Sequence, residues 1–378
     1  MFPVIETSGV ARERGRIHGA AARARVERSV ATYARLFAYC GIDWREAQER
    51  GAAHLDAIAG LDGELLEEII GIAEGSGRSL NEILALNART EILPPSGPAE
   101  RSPRWQAVDD ANRAAGVPDW GECTAIAVPP AASATGGTLL AQNWDWFGAQ
   151  RDALVVLRVR ETDGSSCMTL TEAGMLAKIG LNDRGLGVCL NILRSTTDGS
   201  RPGVPVHPLL RALLKCGDLE EAIALASRFS FGASSNVLCA DAAGGAANLE
   251  FSPLGLQPMR GEGAVLCHTN HFLSPGGGPG EAALAPSPSS EPRLARARTL
   301  VAAQPSIGVA DLKRMLRDES EGYLSICRRP DPALEPEVRL ESVASVIMEL
   351  GERRMHIAPD IPSLAKYVSI VLGEPVPA

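Results

Sequence analysis

Two periodicities divide the chain. Between residues 20 and 93 the apolar positions recur at helical spacing. Residues 20–39 form an Ala/Arg-rich repeat, and Leu65, Leu66, Ile69, Ile70 and Ala73 share one face of a helix predicted over 61–73. Ser79 and Glu82 make a capping box ahead of Ile83, Leu84 and Leu86. After Cys123 the pattern turns to short alternating, β-branched runs. Strands are predicted at 124–128, from 138 onward after the Gly136-Gly137 turn, and at 154–160, 167–171, 177–181 and 188–193. Local turns between them imply antiparallel pairing. Two helices follow within 205–230, the second opened by Asp218 and Glu221. Strands return at 236–241, 247–251 and 264–269, then helices at 293–303 and 310–318, and strands at 324–327, 343–350 and 354–357. Strands flanked by amphipathic helices give an α+β fold in which each helix covers a sheet face.

The two regimes meet at a breaker-rich stretch, residues 94–120, with Pro94-Pro95, Ser96-Gly97-Pro98, Ser102-Pro103 and Gly116-Val117-Pro118. Such text marks an exposed, irregular connection. Cys123 therefore stands at the first position of a strand, directly after a loop. A new amino terminus there would not unravel a core. A second Pro/Gly/Ser/Ala-rich stretch, 274–292, reads as a surface insertion.

At 378 residues, 45% hydrophobic and 22% charged, the chain has the composition of a globular protein with a sizeable core. A net charge of −9 argues against nucleic acid or an anionic membrane as partner. Residues 1–14 lack a signal-like apolar run, and no stretch approaches about 18 uninterrupted apolar residues. The eight cysteines are scattered and form no C-x-x-C, which reads as reduced thiols rather than a disulfide framework. A cytoplasmic location is the expectation.

Cleavage between Glu122 and Cys123 would give Cys123 a free α-amine. A thiol near pKa ~8.5 and an α-amine near ~8 exchange a proton with little penalty, so the amine can serve as general base for its own thiol. Such a site needs a carboxylate to orient the ammonium. Asp145, across a short hairpin in Q-N-W-D-W, is the candidate. A buried small hydrophobe is the competing reading of Cys123. His18, beside a glycine turn, reads as structural. Gly185-x-Gly187 reads as hairpin punctuation, since no βαβ pattern surrounds it. In Cys267-His268-Thr269-Asn270-His271, metal binding is disfavoured because adjacent strand residues point to opposite faces. A Cys–His dyad using His268 or His271 stays open.

The chain resembles the acyl-coenzyme A:6-aminopenicillanic acid acyltransferase family, the C45 peptidases among the N-terminal nucleophile hydrolases. The resemblance runs through G-R-I-H-G at 15–19, G-I-A-E-G and L-N-A-R-T-E within 71–91, E-C-T at 122–124 and Q-N-W-D-W at 142–146. It continues through T-E-A-G and K-I-G-L-N within 171–182, G-V-P at 203–205, L-E-F-S-P at 249–253, H-T-N-H at 268–271 and S-I-C-R at 325–328. It implies a four-layer αββα sandwich, cut into a mainly helical 1–122 segment that stays bound and a catalytic 123–378 subunit, together one globular unit.

It also implies Cys123 as nucleophile, Asn270 as oxyanion donor and Ser252 as a residue needed for processing at Glu122. Arg328 would point into the site, to bind a substrate carboxylate or hold Asp145, with Trp146 as a substrate contact and Arg329 solvated. The reaction implied is hydrolysis or transfer of the acyl group of a small-molecule amide through a Cys123 thioester. No metal or cofactor is called for. Acyl-coenzyme A stays open as a co-substrate, and a homo-oligomer stays open as an assembly. Glu122 stands where the family's best-known member has Gly, and Ala125 where it has Thr, which points away from penicillin chemistry. The rival readings are an uncut papain-like Cys–His hydrolase and a non-catalytic binding protein on the same scaffold.

Overall fold

A computed structural model describes residues 1–93, 123–280, 287, 289–332 and 339–375. Glu122 and the predicted connection at 94–120 lie outside the described residues. In chain order the elements are β1 (Val4–Ser8), α1 (Ala11–Ala21), α2 (Arg23–Tyr39), α3 (Trp44–Ala52), α4 (Leu55–Leu61), α5 (Gly63–Ser76), α6 (Leu80–Asn87) and α7 (Arg89–Ile92). Then come β2 (Cys123–Val128), β3 (Leu139–Phe147), β4 (Leu154–Arg160), β5 (Ser166–Glu172), β6 (Ile179–Asn182), β7 (Leu186–Ile192), α8 (Val206–Leu213) and α9 (Leu219–Ala226). They are followed by β8 (Ser235–Asp241), β9 (Ala246–Ser252), β10 (Gly255–Arg260), β11 (Leu266–His268), α10 (Ser290–Ala302), α11 (Val309–Met315), β12 (Leu340–Glu349), β13 (Arg354–Ala358) and β14 (Val368–Val371).

The strands form two stacked sheets, ordered β1-β4-β5-β6-β7-β8-β9-β10 and β11-β2-β3-β12-β13-β14. Strand alternation sorts the second sheet's residues into two cores. Cys123, Ala125 and Ala127 of β2, with Leu140, Trp144 and Trp146 of β3, join the large core that faces the first sheet. Ile126, Val128, Leu139 and Ala141 face the other way, against Leu294, Ala297, Leu312 and Met315 of α10 and α11. Helices α1–α9 cover the first sheet, completing four layers, αββα. Between the sheets, the Gln142 amide on β3 takes both backbone groups of Leu190 on β7.

The N-terminal 93 residues are woven into this body. Strand β1 pairs parallel with β4 at the edge of the first sheet, an element the helical pattern of that segment does not announce. Helices α1 and α5 cross so closely that a Cβ on Gly15, Gly19, Gly71 or Gly75 would overlap the facing helix backbone, which accounts for the G-x-x-x-G spacing of both motifs. Beneath this crossing, Arg14 and Arg211 share Glu68 and Glu161 in a buried ion-pair cluster. The Ser79–Glu82 capping box forms on both sides.

Two expectations need correction. Residues 324–327 are not a strand. A 3-10 turn, Gly322–Leu324, leads into irregular backbone. The backbone groups there are taken by partners outside any ladder: Ile326 O accepts from the Asn143 side chain, and Cys327 N donates to Asp318 O. The helix predicted over 20–39 is two helices, broken at Ala22. No described helix is long and apolar enough to cross a membrane. All eight cysteines are buried, and none forms a disulfide with another described residue.

Candidate active site

Cys123 opens β2 with 1% of its surface exposed. Three side chains grip its backbone. Its N–H donates to Asn270 Oδ1 at 2.8 Å, and its carbonyl accepts from Arg293 Nη1 at 2.8 Å and Asn191 Nδ2 at 3.2 Å. Asn270 is held in turn. Its Nδ2 donates to Ile192 O, its Oδ1 also accepts from Arg293 Nη2 at 3.1 Å, and its backbone N–H donates to Ser290 Oγ. Arg293, wholly buried on α10, also donates to Thr124 Oγ1 and Ser289 Oγ. One guanidinium thus ties the start of β2 to the turn that carries Asn270, which is the planar, many-donor task that arginine performs and lysine cannot.

Asp145 stands on β3 next to Trp144, the residue paired with Cys123. Its Oδ1 accepts from Ser342 Oγ at 2.5 Å, while its Oδ2 is buried without a hydrogen-bond partner. Burial pushes the carboxyl up to about 7, against the pull of Arg293 and of the Ser342 hydrogen bond. Burial also raises the Cys123 thiol. Lys178 opposes that shift, the Asp145 charge adds to it, and a hydrogen bond from the Asp145 backbone and the charge of Arg293 work against it. The site is therefore poised with a neutral thiol beside groups that would stabilise a thiolate.

The other predicted residues stand around this centre with partners of their own. Arg328 braces it through its backbone: Arg328 N donates to Ser342 Oγ, and Ser342 N donates to Arg328 O. Its guanidinium is fully buried, with a pKa lowered to about 9 by burial against the pull of Asp331. Among the described residues, the arginine bonded to Cys123 is Arg293. Neighbouring Arg329 pairs with Glu319 at the surface. Trp146 lies under the Arg89 guanidinium, 4.4 Å from ring centroid to cation, and donates to Tyr33 Oη. It also lines a small cavity with Thr90, Leu93, Ile192 and Leu193. Ser252 closes β9, where its hydroxyl accepts from Leu254 N. It lines a groove of about 530 Å³ with Phe251, Leu256 and Phe272 and does not enter the Cys123 hydrogen-bond network.

Neither histidine of H-T-N-H bonds Cys123. His268 is held at both ring nitrogens, by Thr269 O and by Glu250 Oε1, each at 2.8 Å. His271 Nδ1 meets Ser290 Oγ at 2.7 Å. The run fastens the Asn270 turn to the start of α10. His18 accepts from Gly174 N and is depressed to about 4 by burial, so it stays neutral and structural. Among the described residues no group of three or more His, Cys, Asp or Glu converges as a metal site.

Sequence reading missed Arg293, Asn191 and Lys178. Arg293 hides among Arg296 and Arg298 in an Ala/Arg-rich helix, and Asn191 is the penultimate residue of an ordinary strand. Lys178 belongs to K-I-G-L-N, but nothing local distinguishes its fully buried Nζ.

Known proteins bear on this geometry. The family described as acyl-coenzyme A:6-aminopenicillanic acid acyl-transferase matches residues 133–358. The acyl-coenzyme A:6-aminopenicillanic-acid-acyltransferase 40 kDa form of Emericella nidulans is 32% identical over 265 residues, 69% of this chain. That match spans 66% of the relative, just under two thirds of its length. Among solved structures, a mutant of conjugated bile acid hydrolase from Clostridium perfringens aligns at 12% identity and a TM-score of 0.48, over 66% of this chain and 92% of that one. Penicillin V acylase from Agrobacterium tumefaciens aligns at 11% identity and a TM-score of 0.36, over 66% and 86%.

Proposed function

Because this chain belongs to the acyl-coenzyme A:6-aminopenicillanic acid acyl-transferase family, we propose that it is a self-processing N-terminal cysteine enzyme. It would hydrolyse a small-molecule amide, or transfer the acyl group to another acceptor such as an amine. The observation that carries the reading is the grip on Cys123. Its N–H is held at 2.8 Å by Asn270 Oδ1 and its carbonyl by Arg293 and Asn191. A structural cysteine needs no such fixation of its own peptide unit, whereas a residue whose nitrogen becomes a catalytic amine does.

In the first step the thiol attacks the Glu122 carbonyl. The peptide C–N bond gives way to a thioester, and water releases Glu122 as a carboxylate and Cys123 with a free amine. In turnover that amine takes the thiol proton, and the thiolate attacks the substrate's acyl carbon. Asn270 Oδ1 and Asp145 orient the amine. The second Nδ2 hydrogen of Asn270, the first being bonded to Ile192 O, serves the oxyanion. Loss of such a donor typically costs about 10²–10³ in rate. Trp146 forms part of the substrate wall, Arg328 supports Asp145 through Ser342, and Ser252 is assigned to processing on the family resemblance alone. Residues 1–93 stay bound after the cut, since release would break the β1–β4 pairing and the buried Arg14–Glu161 and Arg89–Glu172 ion pairs.

The uncut Cys–His reading loses its base, because His268 and His271 are engaged elsewhere. Intact mass of wild type beside Cys123→Ala tests the proposal. The expected result is wild type in two fragments, ending at Glu122 and beginning at Cys123, with the variant whole. A wild type that stays one chain on prolonged incubation overturns it.

A further inference from the structure

Before cleavage the Cys123 nitrogen is an amide, so the base that serves turnover does not yet exist. The thiol proton must go elsewhere. Asp145 is bonded to Ser342 and leaves the sheet on the face opposite the thiol. Both ring nitrogens of His268 are taken, His271 is tied to Ser290, and His18 is bonded to Gly174.

On the thiol's own face stands Trp144, the cross-strand partner of Cys123. Lys178 Nζ lies 4.2 Å from the Trp144 ring centroid and 5.7 Å from that of Trp146. Lys178 is wholly buried just before β6, and its Nζ has no hydrogen-bond partner. A buried ammonium held only by indole faces is costly. A buried neutral amine with its lone pair free is a base.

We propose that Lys178, as the neutral amine, accepts the Cys123 thiol proton in the self-cleavage step; this rests on the self-processing reading above. The proton moves from Sγ to Lys178 Nζ, and the thiolate attacks the Glu122 carbonyl carbon. The tetrahedral adduct expels the Cys123 nitrogen, which takes the proton back from the Lys178 ammonium. A thioester and a free α-amine result, with Lys178 neutral again. Water then hydrolyses the thioester to the Glu122 carboxyl group and the Cys123 thiol.

The surroundings suit the role. Burial lowers Lys178 to about 7, and the Arg89 charge on α7 pushes the same way, while Cys123 on β2 and Glu172 on β5 oppose it. His207 on α8 also faces this group and is kept neutral by burial, by Arg89 and by Lys178. Desolvation beside a second cation is a recognised way to make a lysine basic chemistry's partner at neutral pH.

The test follows cleavage of the full chain, made by cell-free translation, by intact mass over time from pH 5.5 to 9. Wild type, Lys178→Met and Lys178→Arg are compared, with thermal midpoints as a folding control. The wild-type rate is expected to rise about tenfold per pH unit below about 7 and then level. Both variants are expected to slow by about 10²-fold or more and to lose that limb, since a guanidinium keeps the charge but cannot give up its proton.

Three results overturn the proposal: wild-type cleavage flat across pH 6–8, a Lys178→Arg chain that cuts with the wild-type profile, or both variants cutting normally. The first needs no variant to fold. A wild type that never cuts removes the self-processing reading itself, and is distinct from a wild type that cuts without needing Lys178.

Discussion

Asp145 and Cys123 lie on neighbouring strands, yet their side chains leave the sheet on opposite faces. Cys123 pairs with Trp144 in register, so the thiol shares the Trp144 face and the next residue, Asp145, points away. The backbone nitrogen of Cys123 sits at the end of its strand, where a freed ammonium can turn toward Asp145 Oδ2, the oxygen without a partner. On the self-processing proposal, strand alternation would therefore separate the thiol from the carboxylate that orients the amine. Asp145→Asn is expected to cut at Cys123 but to lose about 10² or more in kcat. Fragment mass and turnover, measured on the same sample, check it. Failure of the variant to cut would place Asp145 in the first step instead.

Arg293 joins Cys123 O, Thr124 Oγ1, Asn270 Oδ1 and Ser289 Oγ through one planar cation. A lysine reaches one or two of these and leaves the rest buried and unsatisfied, each at about 1–3 kcal/mol. Arg293→Lys is expected to lower the urea midpoint and to slow self-cleavage at pH 7 by more than tenfold. Arg328→Lys should disturb cleavage less, because Arg328 meets Ser342 through backbone atoms. Parallel urea titrations and cleavage time courses compare the two.

The α1–α5 crossing depends on absent side chains. A Cβ at Gly71 would overlap Arg12 O, a backbone atom that cannot swing aside. Gly71→Ala is expected to destabilise by about 1–3 kcal/mol and to loosen the N-terminal segment more than the sheets. Hydrogen exchange of wild type and variant reads this out, with faster exchange over residues 11–21 and 63–76 and little change in β7 and β8.

What the sequence disclosed was what its neighbours along the chain determine. The Ser79–Glu82 cap closes within one helical turn, and Cys123 and Asp145 stand on the two strands of one hairpin, so both are visible from local text. Strand β1 pairs with β4 about 150 residues on, and Arg293 bonds a carbonyl 170 residues back. No local pattern announces either. Residues 324–327 have strand composition but lie where the Asn143 side chain takes the carbonyl a ladder would need. The glycines of 15–19 and 71–75 were legible as motifs, but their meaning required knowing that the two helices cross.

His18 supplies a pH dependence that can be isolated. It is buried, accepts from Gly174 N, and titrates near 4 rather than near 6.5. As pH falls below 6.5 the unfolded chain binds a proton that the folded chain refuses, so stability is lost progressively down to about pH 4. His18 contributes fully above 6.5. Each pH unit in that window removes up to about 1.4 kcal/mol. Other buried groups titrate too: Glu91 and Asp145, both raised to about 7, oppose the trend. The informative quantity is therefore the difference between wild type and His18→Gln. Wild type should be the more stable at pH 7, and the gap should narrow by about 1–2 kcal/mol at pH 5. Urea titrations of both proteins at the two pH values measure it. A gap that stays constant would mean that His18 carries its proton in the folded protein, and that Gly174 N is not its hydrogen-bond donor.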